Sequence, residues 1–174
     1  MIYNVSGDKM NGKSYFIKRA YGLLGRTTPL VSDCGRLCGG RCCKGDSETG
    51  MFLFPYEEEI IKNVENFKIL DCEGNFGYKM VVCNDTCDRK TRPLACRIYP
   101  YFPVITENGF DVRADIRGIG SCPLLYENVK INYAFIRQIR KIARLFSSDE
   151  ELKNYINDIN AMLDEIEEFA ERMI

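Results

Sequence analysis

After Glu127 the apolar positions recur at intervals of three and four: Phe135, Ile136, Ile139, Ile142, Ala143 and Phe146 line one face of a predicted helix. Ser148 and Glu151 form a capping-box signature for a second helix. Its apolar stripe is Leu152, Tyr155, Ile156, Ile159, Leu163, Ile166, Phe169 and Met173. The first helix carries Arg137, Arg140, Lys141 and Arg144, whereas the charges of the second are almost all acidic. Residues 127–174 therefore read as an antiparallel helical hairpin with opposite charges facing. A homodimer or another protein partner bound through the stripe of the second helix is the alternative.

Upstream the period changes to two. Phe110, Val112, Ala114 and Ile116 alternate with Asp111, Arg113, Asp115 and Arg117. With Tyr101 to Thr106 on the other side of Glu107-Asn108-Gly109, this predicts a β-hairpin. Residues 1–33 read as a strand, a turn and then a strand or helix. Pro55 to Val64 is a helical candidate, since Pro55 suits a first turn and Glu57, Glu58 and Glu59 suit the positive end of the helix dipole. The run Ile98 to Val104 is rich in aromatics and expected to pack over a loop, with Tyr99–Pro100 and Phe102–Pro103 as candidate cis bonds. The fold class is α+β: a small Cys-rich region over 1–126 with short antiparallel strands, and the helical hairpin packed on it within the same domain.

Composition changes what chemistry is open to such a chain. Among 174 residues there are nine Cys and no His. The missing imidazole excludes Ser-His-Asp and Cys-His nucleophile pairs, HExxH zinc proteases and His-ligated haem. Any transition metal must be held by sulfur and carboxylate. The formal charge is −1 with thiols neutral, and thiolates would make it more negative, which argues against nucleic acid as a partner. No apolar stretch approaches the ~20 residues of a membrane-spanning helix, and Met1 to Leu24 lacks the apolar run of a signal peptide. A cytoplasmic location is expected, where clustered thiols stay reduced and point to metal or redox chemistry.

The cysteines fall in two groups along the chain. The first is Cys34, Cys38, Cys42 and Cys43, in a stretch where Gly35, Gly39 and Gly40 favour a knuckled loop over a helix. The side chains of the adjacent Cys42 and Cys43 diverge, so one of them is free to serve a second metal or to pack. The second group is Cys83, Cys87 and Cys96, with the remote Cys122 brought back by the intervening hairpin. Four thiolates suit tetrahedral zinc, while Cys122-Pro123 keeps an iron–sulfur cluster open. Cys72, away from both groups, reads as a free thiol. With few long apolar runs, residues 34–123 are expected to depend on metal for order.

One further match competes for attention. Gly7 to Ser14 fits the phosphate-binding pattern GxxxxGK followed by Ser or Thr. The favoured reading is instead a hairpin turning at Asn11-Gly12 with Lys13 solvated, because no convincing parallel-sheet pattern accompanies the match.

The Cys42-Cys43 doublet after Cys34 and Cys38, together with Arg92-Pro93-Leu94-Ala95-Cys96-Arg97-Ile98-Tyr99-Pro100, resembles the YkgJ-type cysteine-cluster family, described as a zinc- or iron-chelating domain. The similarity spans Cys34 to Pro123. Two features depart from the family pattern: the stretch before the doublet is slightly longer, and Asp88-Arg89-Lys90 follows Cys87 where an Ile-Tyr pair is common. The resemblance implies metal chelation without a defined reaction, with zinc as the leading cofactor and iron or an iron–sulfur cluster as the alternative. A similar cluster in flagellin lysine methylases makes a methyl-transfer modification enzyme or its accessory the second class. Arg92 and Arg97 are expected to hold carboxylates or carbonyls beside the site. No catalytic residue is assigned.

Overall fold

The computed structural model describes residues 12–44, 50–72, 77–83 and 87–173. In chain order the elements are α1 (Ser14–Leu24), α2 (Gly35–Cys38), β1 (Met51–Phe52), α3 (Glu58–Ile61), β2 (Phe67–Asp71), β3 (Lys79–Cys83), α4 (Leu94–Ile98), β4 (Tyr101–Thr106), β5 (Gly109–Ala114), α5 (Tyr133–Phe146) and α6 (Glu150–Arg172). The fold is α+β with short antiparallel strands. β3 lies between β1 and β2, and β4 pairs with β5 in a second, two-stranded sheet.

The hairpin forms where the alternation predicts it. Its register runs from Tyr101 opposite Ala114 to Thr106 opposite Gly109, which places the reversal at Glu107 and Asn108. Both C-terminal helices cover it: α5 packs on β4 and β5, α6 on β4, and α1 lies against α5. The resulting core joins Ile17, Ala20 and Leu24 of α1 to Leu94, Ala95 and Ile98 of α4 and to the inner faces of α5 and α6. Phe54 sits at its centre, with ring centroids 4.7 Å from Tyr155, 5.4 Å from Phe146 and 6.0 Å from Phe102. A second, small cluster of Leu53, Ile61 and Val81 lies beside the three-stranded sheet, whose Met51 and Phe52 also pack against the main core.

The helical pair differs from its expected form in three respects. The cap of α6 is Asp149, which accepts the Leu152 N–H at 3.0 Å, while the Ser148 hydroxyl donates back to the Leu145 carbonyl. A carboxylate supplies negative charge at the positive end of the dipole as well as an acceptor. The charges are matched to the sheet: Arg113 of β5 pairs with Asp164 and Glu167 of α6, and Arg140 of α5 pairs with Asp111 of β5. Finally, Leu152, Tyr155, Ile156, Ile159 and Leu163 are consumed by the chain's own core, so the full stripe is not open to a homodimer. Ile166, Phe169 and Met173 remain exposed at its end.

Elsewhere the local expectations divide. The Pro55 to Val64 helix shrinks to the single turn of α3, because Tyr56 takes a left-handed φ of 68° and breaks the run. Tyr99–Pro100 is cis. The aromatic run packs into the core, with Phe102 buried and Tyr101 6.3 Å from the ring of Phe135.

Ser14 opens α1, so a helix stands where the Asn11-Gly12 hairpin would place its second strand; Gly7 to Asn11 lie outside the described residues. Among the described residues both sheets are antiparallel, which lacks the parallel sheet on which a mononucleotide fold is built. Lys13 Nζ reaches Glu151 Oε2 at 3.4 Å and lies 5.0 Å from the centroid of the Tyr56 ring. Because this pair is half exposed, Lys13→Ala is expected to change stability by less than ~1 kcal/mol. Magnesium with ATP or GTP should leave the melting temperature of wild type and variant unchanged. A nucleotide-dependent rise confined to wild type would restore the phosphate-loop reading.

Candidate metal centre

All nine cysteines are free thiols. Cys34 precedes α2 and Cys38 ends it, so the two stand one helical turn apart on one face. Gly39 and Gly40 then take φ of 64° and 71°, a left-handed pair that glycine adopts without steric cost. The chain reverses into a 3-10 turn, Arg41–Cys43, that carries the doublet. This is the expected knuckle, with one turn of helix inside it.

The remaining sulfurs come from separate elements. Cys83 ends β3 opposite Phe67, and Cys87 lies in the loop that leads to α4. Cys96 is on α4, and Cys122 is buried at the start of a 3-10 turn, Pro123–Leu125. Arg92 Nε donates to Cys87 Sγ at 3.4 Å. Arg97 Nε and Nη2 donate to the carbonyls of Arg92 and Lys90, both at 2.9 Å. Arg97 therefore holds carbonyls, as expected, and Arg92 holds a sulfur.

A residue that the sequence pattern misplaced organises this wall. Glu57 is fully buried, and its carboxylate accepts the Phe54 N–H at 3.1 Å, the Leu94 N–H at 2.6 Å and the Tyr21 hydroxyl. It thereby caps α4, the helix bearing Cys96. Burial pushes its carboxyl above the usual carboxylate range, opposed by these donors and by Arg97. Arg97 also stacks over Tyr21, 4.3 Å from the ring centroid. Position in an acidic run of three gave no sign that one carboxylate turns inward.

The sulfurs influence one another in an order different from that along the chain. Burial raises the Cys96 thiol, and Cys87, Cys83 and Cys43 raise it further. Cys83 is raised by burial and then by Cys87 and Cys43. Cys34 is raised by burial, Asp33, Cys122 and Cys38, and Cys122 by burial and Cys38. Within the doublet Cys42 donates its S–H to Cys43, which raises Cys42 and lowers Cys43. Cys43 thus acts on Cys83 and Cys96 as well as on Cys42, and Cys122 acts on Cys34.

Cys42, Cys43, Cys83, Cys87 and Cys96 line one cleft of about 340 Å³, whose walls also carry Arg41, Arg92 and Arg117. Asp115 holds Arg117 there, Nη2 to Oδ2 at 2.6 Å. Among the described residues, no three Cys, Asp or Glu side chains are drawn into a group that could hold a metal ion. The cysteines converge, but the sulfurs do not yet surround a point. Cys72 follows β2, away from the cleft, and is raised by burial and Asp71 rather than by another thiol. No family model, curated protein or solved structure matches the chain. Among the described residues no helix is long and apolar enough to cross a membrane.

Proposed function

We propose that this chain is a cytoplasmic metal-binding protein of the YkgJ-type cysteine-cluster family, holding zinc mainly in a structural role through Cys34, Cys38, Cys42, Cys43, Cys83, Cys87, Cys96 and Cys122. One observation carries the reading: five thiols from four separate segments, a turn, a strand end, a loop and a helix, meet in one cleft. Burying free thiols together raises their pKa values, so thiolate there needs a compensating cation. A metal supplies that charge, and drawing four sulfurs to ~2.3 Å from it is the step that closes the site. Arg92, already on Cys87, offsets part of the remaining negative charge.

The test is reconstitution. Reduced, stripped protein should take up zinc stoichiometrically and stay colourless, and alkylation of the loaded protein should label Cys72 before any other cysteine. Protein that retains no zinc after dialysis, or ligand cysteines that label as fast as Cys72, would overturn the reading. The second reading, an iron–sulfur or methyl-transfer modification enzyme or its accessory, is favoured by the room beside the sulfurs, about 340 Å³. Brown colour and acid-labile sulfide after anaerobic purification would select it.

A further inference from the structure

We infer that the protein forms a two-fold dimer in which the end of α6, Met162 to Met173, docks on the basic outer face of α5 in a second copy of the chain. Each copy gives its α6 end and receives the other's, so the exchange closes.

The donated surface is the part of the α6 stripe that the chain's own core does not use. Past Leu163, the last buried position, Ile166, Phe169 and Met173 are 38%, 64% and 74% exposed. At about 100° per residue they fall on one face together with the partly buried Met162. Glu165 and Glu167 stand on either flank of Ile166, and between Asp164 and Met173 the one cation is Arg172.

The receiving surface has the opposite charge. Tyr133, Arg137, Lys141 and Arg144 are all exposed and lie within an arc of about 80° on α5, a helix without an acidic residue. Among the described residues Arg137, Lys141 and Arg144 have no ion-pair partner, whereas Arg140 is taken by Asp111. Tyr133 to Arg144 and Met162 to Met173 match in length, both about 16 Å. Arg and Lys lay their aliphatic stems on apolar surface while the charged heads reach past it. Ile166 and Met173 can lie along those stems, Phe169 can face a guanidinium, and the heads then meet Glu165 and Glu167.

The occupant must be a second copy. α6 runs unbroken to Arg172, and Arg113 of β5 ties Asp164 and Glu167 to the hairpin, so this end does not fold back onto its own α5. Pairing two α6 ends with each other would set the same carboxylates face to face, which like-charge repulsion penalises. The opposite charges of the two helices thus meet between copies. No cysteine lies in 133–173, so the contact does not depend on metal.

Sedimentation equilibrium of reduced full-length protein tests the assignment, with the helical far-ultraviolet signal and melting temperature reporting folding. Wild type is expected to be a dimer that loosens as salt rises. Arg137→Glu with Arg144→Glu should weaken it at least ~100-fold, and so should Glu165→Lys with Glu167→Lys, in which Arg113 still holds Asp164. Mixing the two folded double variants should restore a dimer, because each then presents the charge the other lacks. Phe169→Ala should weaken the wild-type dimer without changing the melting temperature of the monomer. A wild type that stays monomeric up to its highest soluble concentration would overturn the inference. So would an α5 variant that dimerises as tightly as wild type, or a mixture of the two folded variants that stays monomeric.

Discussion

Chelation under reducing conditions is expected to abolish amide-exchange protection in Lys79–Cys83 and in the knuckle from Cys34 to Lys44, and to leave it in Tyr101–Ala114, α5 and α6. Neither α2 nor the turn Arg41–Cys43 buries a side chain, and behind the sheet carrying Cys83 the fully buried cluster is the small one of Leu53, Ile61 and Val81, with partly buried Met51, Ile60, Val64, Phe67 and Ile69 around it. Structural zinc is worth roughly 10 to 16 kcal/mol at neutral pH, as much as the whole ~5 to 15 kcal/mol of a domain's stability. Metal would thus decide the order of these segments. The β4–β5 hairpin differs because α5 and α6 cover it and Phe102 lies in the main core, so the expectation of metal-dependent order throughout 34–123 narrows. Thiolates must take up protons to release the metal, so falling pH should produce the same selective loss. Cys96→Ser should mimic it at neutral pH and Cys72→Ser should not. Undiminished protection of Lys79–Cys83 in fully stripped protein would mean that the sulfurs do not build this wall.

Glu57→Ala is expected to destabilise the protein by about 3 to 5 kcal/mol, since removing the carboxyl leaves three buried donors unsatisfied at roughly 1 to 3 kcal/mol each. Truncation strands the N–H groups of Phe54 and Leu94 and the Tyr21 hydroxyl in the interior. Denaturant titration measures the loss. Because Leu94 opens α4, the variant should also hold metal less tightly through Cys96. Glu57→Gln keeps an acceptor and should lose less, but its amide turns a donor toward one of the backbone N–H groups. The pH dependence has a definite sign. A folded pKa raised by burial gives a contribution to stability that is complete below the unfolded value and lost as pH rises through the folded one. The advantage of wild type over Glu57→Gln should therefore shrink as pH rises above the ordinary carboxylate range. A loss below ~1 kcal/mol for Glu57→Ala would show that the interior donors find other acceptors.

Where periodicity and turn chemistry act within a few residues, the sequence alone was enough. The helical character of 133–146 and 150–172, the hairpin at Glu107-Asn108 and the glycine knuckle after Cys38 follow from local spacing and backbone freedom. Those forces operate in any context, so they are legible without a fold. Tertiary packing decided the rest. Pro55 to Val64 has helical composition, but Tyr56 and the inward turn of Glu57 reduce it to α3. The stripe of α6 also admits a dimer seam as an alternative, and only the hairpin packed beneath α5 and α6 shows which apolar surface covers it. The grouping of the cysteines is the clearest case. Chain order places Cys43 with Cys42 and Cys122 with Cys96, because spacing measures distance along the backbone. Which sulfurs share the cleft depends instead on distance through space: Cys42 and Cys43 line it together with Cys83, Cys87 and Cys96, and Cys122 does not.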